Sequence, residues 1–193
     1  ENFTGVEIFL HKPYFYGQPR IYPLQYPLLE ILYMNYLAAG RGALVHACGA
    51  VDPRGRGHLF LGQSGAGKST LAGIWRKIPG TRLLSDDRVI LRRVGGRPWM
   101  YGTPWHGEAG ISCPDGAPLA GVYFLEKSRR DVLSPLEKPR ALGRLLACSF
   151  PPFYDPPGLE FTLSLFEEVL SAVPARTLEF TLSGAAADLI FLG

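Results

Sequence analysis

Between Leu28 and Ala38 the apolar positions of LLEILYMNYLA recur at helical spacing, and AAGRG closes the pattern. Two short apolar runs follow, ALVHACGAV (43–51) and HLFLG (58–62), separated by DPRGRG, whose proline and glycines suit a tight turn. Together they predict a hairpin whose second strand feeds the glycine-rich stretch GQSGAGKST. KSTLAGIWRKI (68–78) then reads as a helix stopped by PG at 79–80, and TRLLSDD (81–87) as a short strand ending in two acids. RVILRRV and RPWMYG, joined by GG at 95–96, predict a second hairpin, and APLAGVYFLE (117–126) a strong strand. Further on, PRALGRLLACSF (139–150) and FTLSLFEEVLSAV (161–173) read as helices around a PPFYDPP loop (151–157), and ARTLEFTL (175–182) as a strand. VEIFL (6–10) predicts a strand near the start, followed by an aromatic, proline-punctuated stretch through Pro27. The sum is an α/β domain with a mixed sheet, richer in hairpins than a plain alternating fold and flanked by helices. One domain is expected over 1–193, with 1–42 as an N-terminal strand and helix extension and 43–193 as the core.

Composition changes little in that picture. At 193 residues, 47% apolar and 19% charged, the chain can bury a real core. A net charge of +3, without a basic cluster, excludes nucleic acid as the expected partner. Cys48, Cys113 and Cys148 lack CxxC spacing, which predicts reduced thiols and a cytoplasmic setting rather than a disulfide frame or zinc site. No apolar run reaches membrane-spanning length and no signal-peptide pattern is seen, so no membrane partner is expected. The chain opens on Glu1 rather than methionine, which allows for a leader or tag removed upstream.

The candidate chemistry starts at Gly62. Gly62, Gly67, Lys68 and Ser69 fit the spacing G-x-x-x-x-G-K-[ST], between an apolar strand and a helical pattern. Glycines let the backbone curl so that successive N–H groups converge on phosphate oxygens. The helix that follows turns its positive end to the same anion. Gly62, Gln63, Ser64, Gly65, Ala66, Gly67, Lys68, Ser69 and Thr70 are therefore the expected nucleotide-binding residues, for ATP with Mg²⁺. Lys68 would reach the β- and γ-phosphates and the Ser69 hydroxyl would ligand the metal.

Asp86 and Asp87 return one helix and one short strand after Lys68, which predicts that their strand lies directly beside the one feeding the loop. Adjacent side chains at a strand end point to opposite faces, so one acid would serve the metal and the other would accept a proton from an attacking hydroxyl. An ABC-type ATPase is disfavoured because LSGGQ is missing; LSGAAA at 182–187 is a weak echo in another setting.

With these residues in view, LVHACGAVDPRGRGHLFLGQSGAGKSTLA and GTRLLSDDRVIL resemble the catalytic core of HPr kinase/phosphorylase, relatives of the ATP-dependent phosphoenolpyruvate carboxykinases. The resemblance covers roughly residues 43–92. It implies a P-loop domain of that type and an ATP-dependent kinase acting on a serine hydroxyl of a protein or peptide. Asp87 would be the base, Asp86 and Glu108 metal ligands with Ser69, His46 an assisting group near the reacting atoms, and Arg144, over Arg140, the later arginine. The arginine–glycine signature that the family carries after its glutamate is absent; the chain reads GEAGISCPDGAPLAG there. Its size is similar to that of small HPr-kinase-like proteins that modify precursor peptides, including lasso-peptide tailoring kinases. Trp99, Tyr101, Trp105 and His106, near Glu108, are candidates to line an acceptor pocket. A kinase for a small hydroxylated metabolite such as free serine, and a module that only senses nucleotide, are the alternative readings. A homo-oligomer is compatible with all three.

Overall fold

The computed structural model describes residues 3–17, 22, 24, 26–63, 65–181 and 185–192, so Ser64 and residues 182–184 of the LSGAAA stretch lie outside the described residues. In chain order the elements are α1 (Leu28–Ala38), β1 (Ala43–Val51), β2 (Gly57–Leu61), α2 (Lys68–Trp75), β3 (Arg82–Ser85), β4 (Arg88–Val94) and β5 (Arg97–Gly102). After them come β6 (Gly116–Lys127), β7 (Val132–Pro135), α3 (Lys138–Ala147), α4 (Pro156–Ala172), β8 (Ala175–Phe180) and α5 (Ala185–Leu192).

Among the described residues, eight strands join in one mixed sheet. Two long strands carry it. β1 pairs antiparallel with β2 along one edge, while its other edge changes partner from β4, over Ala43–His46, to β3 beyond Gly49. β6 meets β5 antiparallel at its start, then runs parallel to β2 and to β8. β7 closes the far edge, antiparallel to β8. Because β2, β6 and β8 run the same way, their C-terminal ends lie together, the place where open α/β sheets hold ligands.

Alternation along the central strands explains why both faces are covered. Val45, Ala47, Leu59, Leu61, Val122 and Phe124 face one apolar layer with Leu145 of α3 and Phe166 and Val169 of α4. Cys48, Ala50, Phe60, Tyr123 and Leu125, one position out of step, face the other layer with Leu71 and Trp75 of α2 and Ile190 of α5. A strand buried on both sides reads as a continuous apolar run, as ALVHACGAV and HLFLG do. α1 packs outside this unit, against β1 and α4.

The fold corrects several expectations. VEIFL is no strand: residues 5–10 pair with nothing in the sheet, and Val6 at 50% and Phe9 at 90% exposure show why, since a lone five-residue segment has no ladder partner. The helix expected at 161–173 starts at Pro156, inside the stretch read as a loop, because proline fits the first helical turn where its missing N–H costs nothing. β7 and α5 were not expected at all. The strand bearing the acids is also not the neighbour of β2: β1 stands between β3 and β2. The hairpin partner already holds one edge of β2 and β6 holds the other, so β3 docks on the far edge of β1.

Candidate active site

The turn from β2 into α2 is built so that only glycine fits. Gly67 has φ +103°, a left-handed conformation, and a Cβ there would lie 2.5 Å from the Phe180 ring of β8. At Gly62 a Cβ would meet that of Ala66 at 2.6 Å. Gly65, at φ +79°, completes the curl without such crowding. Gly67 caps α2 with no side-chain hydrogen bond, which leaves the first amides of the helix without an intrahelical acceptor. Lys68 is buried at 7% exposure, and its ammonium donates to the carbonyls of Gly62 at 2.7 Å and Gln63 at 3.3 Å.

In front of this turn lies a cavity of about 400 Å³. Its walls include Gly65, Gly67, Lys68, Ser69 and Thr70 from the loop and α2, His46 from β1, Asp86 and Asp87 from the end of β3, and Glu108. Although β1 intervenes, β3 runs parallel to β2, since both pair antiparallel to β1, so its C-terminal end arrives on the same side.

The two acids diverge. Asp86 is 3% exposed and points into the 107–111 segment, where it accepts the amides of Gly107 at 2.9 Å, Ala109 at 2.7 Å and Ile111 at 3.2 Å. It thereby pins the loop that carries Glu108. The loop fits closely, for a Cβ on Gly107 would sit 2.9 Å from an Asp86 oxygen. Asp87 turns the other way: its Oδ1 lies 3.4 Å from His46 Nε2, and its Oδ2 pairs with Arg88. Ser85 holds the corner, its hydroxyl accepting the amides of Asp87 and Arg88 and donating to the Trp105 carbonyl.

Electrostatics follow from burial. Burial lowers the His46 pKa, helped by Lys68 and Arg88 and opposed by Asp87, so at neutral pH the ring is an uncharged hydrogen-bonding group. Burial also lowers Lys68, opposed by Cys148, Asp87 and Cys48. Behind the site, burial first and Asp86 second push the Cys48 thiol up to about 12, which leaves it inert.

Other expected residues lie elsewhere. Arg144 lines an adjoining cavity of about 360 Å³ with Gly62, Gln63 and Cys148, where it pairs with Glu126 at 2.7 Å and lies over the Phe124 ring. Arg140 lines neither cavity and is exposed. Trp99, Tyr101, Trp105 and His106 are not among the residues lining the cavity with Asp87. Trp99 and Tyr101 stack on each other along β5, and Trp105 packs edge-on against Tyr33 of α1. Sequence reasoning missed Arg88, whose signal was its place directly after the acid pair, and Lys127, which lines both cavities from the end of β6. It also missed Glu30 of α1, which forms an ion pair with Arg88 and which no local pattern marks.

Among the described residues no three His, Cys, Asp or Glu side chains converge as a metal-binding group. Ser69, Asp86 and Glu108 nonetheless offer only oxygen to the cavity, and Asp86 has spent three of its lone-pair sites on amides. That set fits a hard cation that keeps several of its own waters, as Mg²⁺ does.

No family profile matches the chain, and no curated protein does. Among solved structures, that of the Hpr(Ser) kinase/phosphatase from Coxiella burnetii is similar over 77% of this chain and 92% of that one, with 16% identity and a TM-score of 0.43. At that distance the likeness says nothing about activity. What the residues do define is a mixed α/β sheet with helices on both faces and a charged cleft at its strand ends. No helix among the described residues is long and apolar enough to cross a membrane.

Proposed function

We propose that the chain is an ATP-dependent kinase that transfers the γ-phosphoryl group to a serine hydroxyl of a protein or peptide. One observation carries this: a buried lysine at a glycine-only turn shares a single cavity with Asp87, His46 and Glu108. A turn that merely held a nucleotide would have no need of a carboxylate and a neutral imidazole in contact beside it.

Phosphoryl transfer asks the protein for alignment and for fixed positive charge more than for covalent chemistry. The loop amides and the first turn of α2 hold the phosphate oxygens, and Lys68, released from the Gly62 and Gln63 carbonyls, follows the charge of the terminal group. Asp87 Oδ1 takes the proton of the acceptor hydroxyl as the new oxygen–phosphorus bond forms. The bond from the γ-phosphorus to its bridging oxygen breaks, and ADP leaves with that electron pair. His46, uncharged, stands 3.4 Å from Asp87 Oδ1 and flanks that oxygen in the cavity. Ser69, Asp86 and Glu108 would hold Mg²⁺, which when bound would supply positive charge against the phosphate oxygens.

The test is label transfer from γ-³²P ATP to serine-containing peptides, proteins and free serine, with Asp87→Asn as control. We expect label in a peptide or protein and a loss of at least about 10²-fold in the variant with nucleotide affinity retained. Near-normal transfer by Asp87→Asn would remove Asp87 as the base. Label in free serine alone would move the assignment to a metabolite kinase.

A further inference from the structure

Arg88 stands behind Asp87 rather than in the cavity wall, and nothing in the reaction above uses it. Its two terminal nitrogens divide between two acids: Nη1 donates to Asp87 Oδ2, and Nη2 forms an ion pair with Glu30 Oε1, on the first turn of α1. The guanidinium lies over two rings, Phe150 at 5.1 Å and Trp105 at 5.7 Å. Its Nε is buried and finds no hydrogen-bond partner among the described residues. The packing thus forgoes one donor of a strongly polar group to keep both others on carboxylates.

The backbone is held as firmly. Ser85 accepts the Arg88 amide at 3.1 Å, and the Thr103 hydroxyl donates to the Arg88 carbonyl at 2.8 Å. Arg88, Glu30 and Asp87 side chains are exposed by only 17%, 13% and 21%. A planar fork between two fixed carboxylates has little freedom to rotate, and whatever fixes the fork fixes the oxygen it holds.

We propose that Arg88, steadied by Glu30, is a positioning residue that occupies Asp87 Oδ2 and so presents Oδ1, on the His46 side, to the cavity. The N-terminal helix thereby takes part in the site from outside the sheet. The catalytic half of this statement rests on the kinase reading; the orientation of Asp87 does not.

Two measurements test it separately. In side-chain NMR of the full chain, the Arg88 Nη protons should give separate, slowly exchanging signals that merge in Glu30→Gln. Signals already averaged in the wild type would overturn the proposal, whatever the activity. In label transfer, Glu30→Gln should lower kcat about tenfold with KM for ATP within twofold of wild type. Arg88→Lys, which keeps the charge but not the fork, should lower kcat at least as much while its unfolding midpoint stays nearer wild type than that of Arg88→Met. Recovery of wild-type kcat by Arg88→Lys would show that charge alone suffices and overturn the positioning role. Wild type without transfer to any acceptor would end the kinase reading, and the NMR result would then decide the orientation of Asp87 by itself.

Discussion

Gly67 allows almost no change of side chain. An alanine there would have to adopt a left-handed backbone, at roughly 1–2 kcal/mol, and push its methyl into Phe180 of β8. Gly67→Ala should therefore destabilise the fold by about 2 kcal/mol or more in urea unfolding, and weaken nucleotide binding at least tenfold by titration. Asp86 is the opposite case, a residue whose carboxylate accepts three amides at once. Removing it would leave three amides facing a buried void, so Asp86→Ala should cost roughly 3 kcal/mol in the same unfolding measurement. A loss under about 1 kcal/mol would mean that the 107–111 segment is held by something else. The loop motif was legible in the sequence because its chemistry is local: glycine, lysine and serine act within one turn. The duties of the two acids were not, because which one holds the 107–111 segment depends on residues 21 to 25 positions later in the chain.

At the scale of elements, α2 shows how a tertiary contact overrides a pattern. The apolar spacing of KSTLAGIWRKI runs on to Ile78, but the helix ends at Trp75. There the Thr81 hydroxyl reaches back to the Trp75 carbonyl at 2.6 Å and to that of Ile78 at 2.8 Å, and Lys77 and Ile78 close shorter turns. Thr81→Val should cost about 1 kcal/mol by denaturant unfolding and leave kcat unchanged, because the lesion lies at the end of α2 away from the cavity. A fall in kcat beyond twofold would show that the helix end is coupled to its start. The strands of the sheet interior were readable, since a segment buried on both faces must be apolar throughout. β7 and α5 were not: VLSP is too short to carry a pattern, and α5 follows directly on residues 182–184.

The whole molecule carries a pH dependence in its buried hairpin end, on β1, β2 and β6 and away from the cavity. His58, 2% exposed, sits between Asp52 at 3.3 Å and the Tyr123 hydroxyl at 3.3 Å, and against Trp75. Burial lowers its pKa below 6.5 despite Asp52. The unfolded chain then binds the proton first, so stability is complete above about 6.5 and declines as pH drops through that value toward the lower folded one. Burial alone would raise Asp52, but the Arg56 amide and guanidinium and His58 bring it below 3.8. Its contribution is present above 3.8 and is lost as pH falls through that lower folded value. The thermal midpoint should accordingly decline in two stages on acidification, and His58→Gln should shrink the first to the part left by His46, whose pKa burial also lowers. A wild-type midpoint unchanged between pH 7 and 5.5 would contradict this account.

The central apolar strands, the glycine turn, the start of the helix after it and the presence of two acids beyond were determined by the sequence alone, because each is set by neighbours within a few positions. The placing of β1 between β3 and β2, the divergence of Asp86 from Asp87, and the link from Asp87 through Arg88 to Glu30 were decided only in three dimensions. Each depends on which edge or charge a distant segment left open, and contacts of that kind leave no periodic trace along the chain.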